Sequence, residues 1–198
     1  MRLAAATLAL LLFCTLPACG GSEVELREEP SPTATGPAIS TASPPPAAPA
    51  MFAVTSPAFA DNTQIPAEYS CTGRNVPPPL RWENVPAGTE SLALVVDDPD
   101  AVGGLYVHWI VTGMPPSTTD IVDGALPEGA RVGLNSGGNA AYLGPCPPPG
   151  TGVHHYRFQL YALGTPLMFA PTTPAQDATR TIADAAVAVV STVGLFGR

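Results

Sequence analysis

Lysine is missing from the 198 residues of this chain, so eight arginines supply all of its permanent side-chain positive charge against sixteen Asp and Glu residues. From residue 51 onward, six arginines stand against twelve acidic residues, a net charge of −6. Nucleic-acid binding depends on neutralising phosphates, and adsorption to anionic lipid depends on basic clusters. This charge balance therefore argues against both, and we expect no nucleic-acid partner.

Motifs of several common enzyme classes are missing as well. The chain has no Gly-x-Ser-x-Gly nucleophile motif and no His-x-x-x-His or Glu-x-x-His pair for a metal. The glycine-rich stretch Asn135–Gly138 lacks the Gly-Lys-Ser/Thr ending of a nucleotide-binding loop, and Ser136 within it is a weak nucleophile candidate. We therefore predict a protein that is not an enzyme and that holds no cofactor or metal.

The apolar run at the N-terminus, from Leu3 to Leu16, is shorter than the roughly 20 residues that a membrane-spanning helix needs. It follows a positive Met1-Arg2 and is typical of an export signal. It ends in Leu-Pro-Ala-Cys19, which resembles the lipobox of bacterial lipoproteins and implies a diacylglyceryl group on Cys19. We predict a lipoprotein signal peptide over 1–18 and an exported protein, lipid-anchored on the outer face of the cell membrane. Ordinary secretion with cleavage nearby is the alternative.

Residues 19–50 contain four glutamates followed by Pro, Ala, Thr and Ser, with almost no large apolar side chain. Such a segment cannot bury enough surface to offset the entropy of ordering it. We predict a disordered tether that holds a folded domain, residues 51–198, away from the membrane.

The chain has four cysteines, of which Cys14 falls in the predicted signal and Cys19 in the lipobox. Cys71 and Cys146 remain in the exported domain. Exported proteins commonly pair such cysteines, so we predict a disulfide between them. Two separate buried thiols are the alternative.

Three segments have the β-branched, aromatic or alternating composition of strands: 91–98, 106–112 and 154–161. Loops rich in Pro and Gly, rather than helical patterns, separate them. A helix is predicted to begin at Thr173-Pro174 and to end at Gly194, because apolar residues recur at helical spacing between them. The fold class is therefore predicted to be mostly β and largely antiparallel, with a helix near the C-terminus.

The period of two along a strand predicts which side chains share a face. Asp98 lies on the apolar face of the first strand, His108 shares a face with Tyr106 and Ile110 in the second, and His154 lies on the apolar face of the third. Each strand thus offers one polar group near an end of such a face. These three groups could converge on one pocket.

Six motifs, in this order, resemble the phosphatidylethanolamine-binding protein family, and most closely its bacterial and archaeal branch, often called Raf kinase inhibitor-like. The resemblance covers residues 52 to 197. The motifs are Asn75–Trp82, Val85–Gly88, Asp98–Asp100, His108–Val111, Gly144–Pro148 and His154–Tyr156.

The resemblance implies an antiparallel β-sandwich with a C-terminal helix and a small open pocket for anions such as phosphate or a phospholipid head group. The two imidazoles would each donate an N–H to the anion, the tyrosine would add a neutral donor, and glycine N–H groups of the loop would point inward. A Cys71–Cys146 bridge would pin that loop. Carried over by position, the pocket residues are Asp98, His108, Gly144, Pro145, His154 and Tyr156.

The function predicted from these residues is a lipid-anchored binding protein for a small anionic ligand or phospholipid head group. A regulator that restrains a protease by protein contact is one alternative, because relatives inhibit kinases or proteases. A hydrolase that uses the His/Asp cluster, with or without a metal held by two histidines and a carboxylate, is another. Taken singly, His108 is explained as a buried histidine bonded to backbone, and Asp98 as a turn former.

Overall fold

A computed structural model describes residues 50–122 and 124–198 of the chain. The predicted signal peptide (1–18), Cys19 and the tether up to residue 49 lie outside the described residues. Within the described ranges, no helix is long and apolar enough to cross a membrane.

Two β-sheets pack face to face. The smaller sheet has the order β1-β3-β6, and the larger has the order β2-β9-β8-β4-β5-β7. All neighbouring strands are antiparallel except β2 and β9. The strands are β1 Ala53–Thr55, β2 Thr63–Gln64, β3 Leu80–Glu83, β4 Ser91–Asp98, β5 Tyr106–Met114, β6 Asp120–Ile121, β7 Arg131–Val132, β8 Val153–Leu163 and β9 Ala186–Gly197.

The main hydrophobic core lies between the two sheets. Val54 and Trp82 of the small sheet pack there with Leu94, Phe158 and Leu160 of the large sheet. The outer face of the large sheet is covered by helix α1, Ala175–Asp184, whose Ala178 and Ile182 are buried against it. This arrangement confirms the predicted β-sandwich with a helix near the C-terminus, and the three predicted strands correspond to β4, β5 and β8.

The predicted end of the helix at Gly194 is wrong. Helix α1 begins directly after Pro174, as predicted, but ends at Asp184, and β9 pairs with β8 along its whole length. Val187 and Val189 are exposed, whereas Ala188 and Val190 pack against the core, which is a strand's alternation. Valine-rich sequences favour strands, and pairing with β8 selects the strand over the helix.

The predicted shared face of His108 and Ile110 is also wrong, because β5 contains a β-bulge. Val96 lies opposite Trp109, yet Asp97 lies opposite Val107, so His108 is an extra residue in β5. Beyond the bulge the alternation is shifted, and Ile110 packs beneath the helix. Bulges of this kind redirect a side chain relative to its strand, and here the redirected side chain is an imidazole.

The predicted disulfide is confirmed. Cys71 and Cys146 are bonded, with their Cα atoms 5.4 Å apart and 75 residues between them in sequence. Arg198 adds a second link, since its Nε donates a hydrogen bond to the carbonyl of Pro147 at 2.8 Å. The loop that precedes β8 is thus fixed to the segment after the short 3₁₀ helix Ala67–Tyr69 and to the end of β9.

Candidate functional site

A cavity of about 330 Å³ lies where β4 ends, β5 begins and β8 begins. The structure brings four of the predicted residues into its wall: Asp98, His108, His154 and Tyr156. The remaining lining residues are Ala101, Val102, Tyr106, Leu143, Cys146, Pro147 and Pro148. A second cavity, of about 390 Å³, is lined by Gln64, Gly152, Val153 and residues 195–198, without a histidine or an acidic side chain.

Asp98 and His154 form a buried pair at one side of the cavity. The Nδ1 of His154 lies 2.7 Å from Oδ2 of Asp98, and both side chains are almost fully buried. The other carboxylate oxygen, Oδ1, accepts the backbone N–H of Asp100 at 2.8 Å. Asp98 therefore also forms the turn that sequence reasoning offered as its simpler explanation.

His154 has no ring nitrogen left for a ligand. Its Nε2 lies 2.9 Å from the hydroxyl of Thr151, which is itself 2.8 Å from the carbonyl of Pro148. With Nδ1 bonded to Asp98, both nitrogens are used within the protein. The N–H that was expected to serve an anion is thus engaged within the protein, and in this arrangement His154 orients the aspartate.

His108 is held by the backbone. Its Nδ1 donates a hydrogen bond to the carbonyl of Leu143 at 2.7 Å, and its ring lies edge-on to that of Tyr156 with centroids 5.2 Å apart. Burial lowers the pKa of His108 below its ordinary value, although the bond to Leu143 and the charge of Asp98 act in the opposite direction. The ring is therefore neutral at neutral pH, with its proton on Nδ1.

Tyr156 is fully buried, and its hydroxyl makes no well-formed hydrogen bond to a described residue, although the Asp98 carboxylate and the Cys146 backbone lie near it. Burial raises the pKa of Tyr156, and the negative charge of Asp98 raises it further. The phenol therefore stays protonated. Buried hydroxyls without a partner are rare in folded proteins, so this group is a candidate ligand donor.

Gly144 and Pro145 do not line the cavity, contrary to the resemblance-based prediction. The N–H of Gly144 donates to Oδ1 of Asn75 at 2.7 Å, so it does not point inward. The carbonyl of Pro145 accepts the N–H of Cys71 at 3.1 Å. Both residues anchor the loop, and the next three residues, Cys146, Pro147 and Pro148, form one part of the cavity wall.

Sequence reasoning missed three contributors to this site: Tyr106, Leu143 and Thr151. Tyr106 stacks at a tilt on His108 with centroids 4.9 Å apart, and its spacing of two from His108 was a usable signal. Leu143 acts through its backbone carbonyl, which has no sequence signature. Thr151 lies in the loop and could have been noticed only once its distance to His154 was known.

The alternative catalytic groups have structural partners. Ser136 accepts the backbone N–H of Val107 at 2.9 Å and lies outside the cavity lining. No group of three or more His, Cys, Asp or Glu side chains in the described part of the chain is arranged to hold a metal ion. His154 also has no lone pair free for one, because both of its nitrogens are hydrogen-bonded.

Fold and cavity together define a class: a two-sheet β-sandwich with a small cavity that holds a few polar groups at the ends of neighbouring strands of its larger sheet. The chain belongs to the phosphatidylethanolamine-binding protein family, whose pattern matches residues 55–197.

Relatives and solved structures agree with this assignment. The chain is 48% identical to a protein of Mycobacterium tuberculosis named "Putative lipoprotein LppC". The match covers 96% of this chain and 94% of LppC. A UPF0098 protein of Methanothermobacter thermautotrophicus is 40% identical over 71% of this chain and 95% of its own length. The crystal structure of Escherichia coli YbcL, described as a member of the mammalian PEBP family, superposes with a TM-score of 0.71 at 32% identity. The superposition covers 75% of this chain and 99% of YbcL.

Proposed function

We propose that this protein is an exported, lipid-anchored binding protein that holds a small oxyanion, such as phosphate or a phosphate-containing head group, in the cavity between His108 and Tyr156. The observation that carries the proposal is the Tyr156 hydroxyl, which is buried at the cavity wall without a partner among the described residues. The hydroxyl has almost no accessible surface in this arrangement, so a ligand oxygen would reach and satisfy it once a neighbouring side chain moves aside.

The size and lining of the cavity support a small ligand. A volume of about 330 Å³ is at the lower end of the range for small-molecule pockets. Val102, Leu143 and Pro147 give it apolar walls around the polar groups, which suits an anionic group with a short organic substituent. The carboxylate of Asp98 does not oppose an anion with its full charge, because His154 is hydrogen-bonded to it at 2.7 Å.

Binding is favoured over hydrolysis by the way the polar groups are used. A hydrolase needs a base aligned with a nucleophile or a water. Asp98 and His154 instead satisfy each other and the adjoining loop, and Ser136 is hydrogen-bonded to the start of β5. His108 keeps a free ring nitrogen, but no serine, threonine or free cysteine among the described residues lines the cavity beside it. We propose that the residues inherited with the fold serve recognition.

The membrane anchor is part of the proposal and is supported by the relative LppC. Lipidation of Cys19 would place two acyl chains at the new N-terminus, which is the number that stable anchoring requires. The domain would then face the outside of the cell at the end of its tether.

Isothermal titration calorimetry with inorganic phosphate and with phosphoethanolamine tests the proposal, with sodium chloride at matched ionic strength as the control. Saturable, equimolar binding of either compound supports it. Native mass spectrometry of the protein from its own host provides an independent test by detecting a retained ligand. No heat of binding at millimolar phosphate and phosphoethanolamine would contradict the proposed function.

A further inference from the structure

We infer that His108 makes the cavity selective for oxyanions that carry an acidic proton, such as hydrogen phosphate, over anions of similar shape without one, such as sulfate or a phosphodiester. The inference rests on the proposed function, that the cavity binds an oxyanion. It adds the feature by which the cavity would select one oxyanion over another.

The tautomer of His108 is fixed by its partner. A carbonyl oxygen only accepts hydrogen bonds, so the 2.7 Å contact with Leu143 places a proton on Nδ1. In the neutral ring, Nε2 then carries a lone pair and accepts. No described residue donates to that nitrogen, and His108 lines the cavity, so Nε2 is available to a ligand.

The ring is neutral at pH 7 to 8 because of its surroundings. The groups that face it are Asp98 and Asp97 of β4, His154 and Tyr156 of β8, and Tyr106 of its own strand. Asp98 favours the protonated ring, but its charge is shared with His154 and with the N–H of Asp100. Burial has the larger effect, so the pKa of His108 lies below its ordinary value.

The cavity therefore offers two hydrogen-bonding groups of opposite type to a ligand. Tyr156 contributes a hydroxyl, and His108 contributes a lone pair, whereas both ring nitrogens of His154 are already bonded. Hydrogen phosphate matches this pair, since one of its oxygens carries a proton for Nε2 and another accepts from the phenol. Binding breaks no covalent bond and transfers no proton between the ligand and the protein.

Sulfate has the same shape and, at pH 8, the same charge of about −2 as phosphate, but no proton. Its oxygen would meet the Nε2 lone pair with a lone pair of its own. It can bind well only when His108 first takes a proton from solvent. A site built to hydrogen-bond a ligand hydroxyl rejects analogues that lack it by large factors, because its own polar group is left unpaired.

The sign of the pH dependence follows from this requirement. A His108 whose pKa is lowered in the empty cavity gains its proton only as the pH falls, so the affinity for sulfate rises as the pH is lowered. The limiting slope is about tenfold per pH unit, with one proton taken up per sulfate bound. Phosphate at pH 8 brings its proton with it and needs none from solvent.

Calorimetry of the wild-type protein tests the inference with inorganic phosphate, sulfate and dimethyl phosphate at pH 6, 7 and 8, in buffers of different ionisation enthalpy. At pH 8 we expect phosphate to bind at least tenfold more tightly than sulfate or dimethyl phosphate, without proton uptake. The difference in affinity between phosphate and sulfate should become smaller toward pH 6. The dimethyl phosphate measurements distinguish a diester head group from free phosphate as the source of the ligand.

Equal affinities for phosphate and sulfate at pH 8, or sulfate binding without proton uptake, would overturn the inference and leave the proposed function standing. Failure of all three anions to bind between pH 6 and 8 would overturn both.

A substitution makes the test specific to one residue. His108→Gln places a carboxamide that can donate an N–H, so we expect the phosphate-to-sulfate ratio at pH 8 to approach one and the pH dependence of sulfate binding to disappear. His155→Gln is the matched control, because that exposed imidazole bonds Asp100 outside the cavity lining. An unchanged ratio in His108→Gln, or a lost one in His155→Gln, contradicts the inference. The wild-type series decides the question if His108→Gln does not fold.

Discussion

His154 and His155 are neighbours in the chain but lie on opposite faces of β8, and each bonds one acid of the Asp98-Pro99-Asp100 turn. His154 bonds the buried Asp98, while His155 bonds Asp100 through both its backbone N–H and its Nδ1, at 2.9 Å and 2.7 Å. The bonds from His155 lower the pKa of Asp100. The adjacent histidines thus fasten the connection between β4 and β5 at two points beside the cavity.

The two pairs differ in burial, and so in their expected contribution to the free energy of unfolding. Asp98→Ala leaves His154 buried without its partner and should destabilise the fold by about 3 kcal/mol or more. Asp100→Ala removes an exposed pair and should cost about 1 kcal/mol or less. Urea denaturation of both variants measures the difference. Equal losses would show that the Asp98–His154 pair does not have the buried character described here.

The hydroxyl of Tyr156 is expected to contribute to phosphate binding but not to the stability of the fold. Because it has no partner among the described residues, Tyr156→Phe should leave the free energy of unfolding unchanged or slightly higher, yet lower the affinity for phosphate roughly tenfold. Tyr142→Phe is the matched control, since that hydroxyl donates to the carbonyl of Tyr69 at 2.9 Å. It should cost about 1 kcal/mol of stability without weakening phosphate binding. Calorimetry and urea denaturation check both variants, and the reverse pattern would contradict this assignment.

Sequence alone could predict four of the side chains that reach the cavity but not their hydrogen-bonding state. Strand alternation placed Asp98, His154 and Tyr156 correctly, whereas His108 reaches the cavity through a bulge that alternation does not predict. That His108 keeps a free Nε2, while His154 keeps no free nitrogen, depends on a backbone carbonyl and on the loop residue Thr151. Neither partner is adjacent in sequence or marked by residue type.

Among the elements, β9 shows most clearly how tertiary pairing decides between competing local patterns. Its apolar residues satisfy both a helical and an alternating spacing, and the helix was the wrong choice beyond Asp184. Pairing with the eleven-residue strand β8 supplies the partner that a strand needs. The bulge at His108 is a second tertiary effect, because it depends on the register between β4 and β5.

The disulfide also acts between elements, because it joins the cavity loop to the segment after the 3₁₀ helix. Replacing Cys71 and Cys146 together by Ser should destabilise the fold by about 4 kcal/mol, because the 75-residue separation is released in the unfolded chain. Phosphate affinity should fall as well, because Cys146 and Pro147 form part of the cavity wall. Thermal melting and calorimetry, with the reduced wild-type protein as the control, measure both effects. An unchanged melting temperature would contradict the expected role of the bridge.

For the whole molecule, the six-motif order predicted the sandwich and the family, because the motifs span nearly the entire folded region. The proposed lipid anchor depends on Cys19 alone. Cys19→Ser should move the protein from the membrane fraction to the extracellular fraction, since without lipid nothing in the acidic domain favours an anionic surface. Cell fractionation with immunoblotting measures this, with Cys14→Ser as the control. Membrane retention of the Cys19→Ser protein would contradict lipid anchoring at this residue.

The proposed binding of a small oxyanion between His108 and Tyr156 can be tested directly at the imidazole. With three histidines in the chain, the imidazole signals in an NMR spectrum can each be assigned and followed. On titration with phosphate at constant pH, we expect a saturable shift of the His108 ring signals, while those of the exposed His155 stay in place. Unmoved His108 signals at millimolar phosphate, or equal shifts at both histidines, would contradict it.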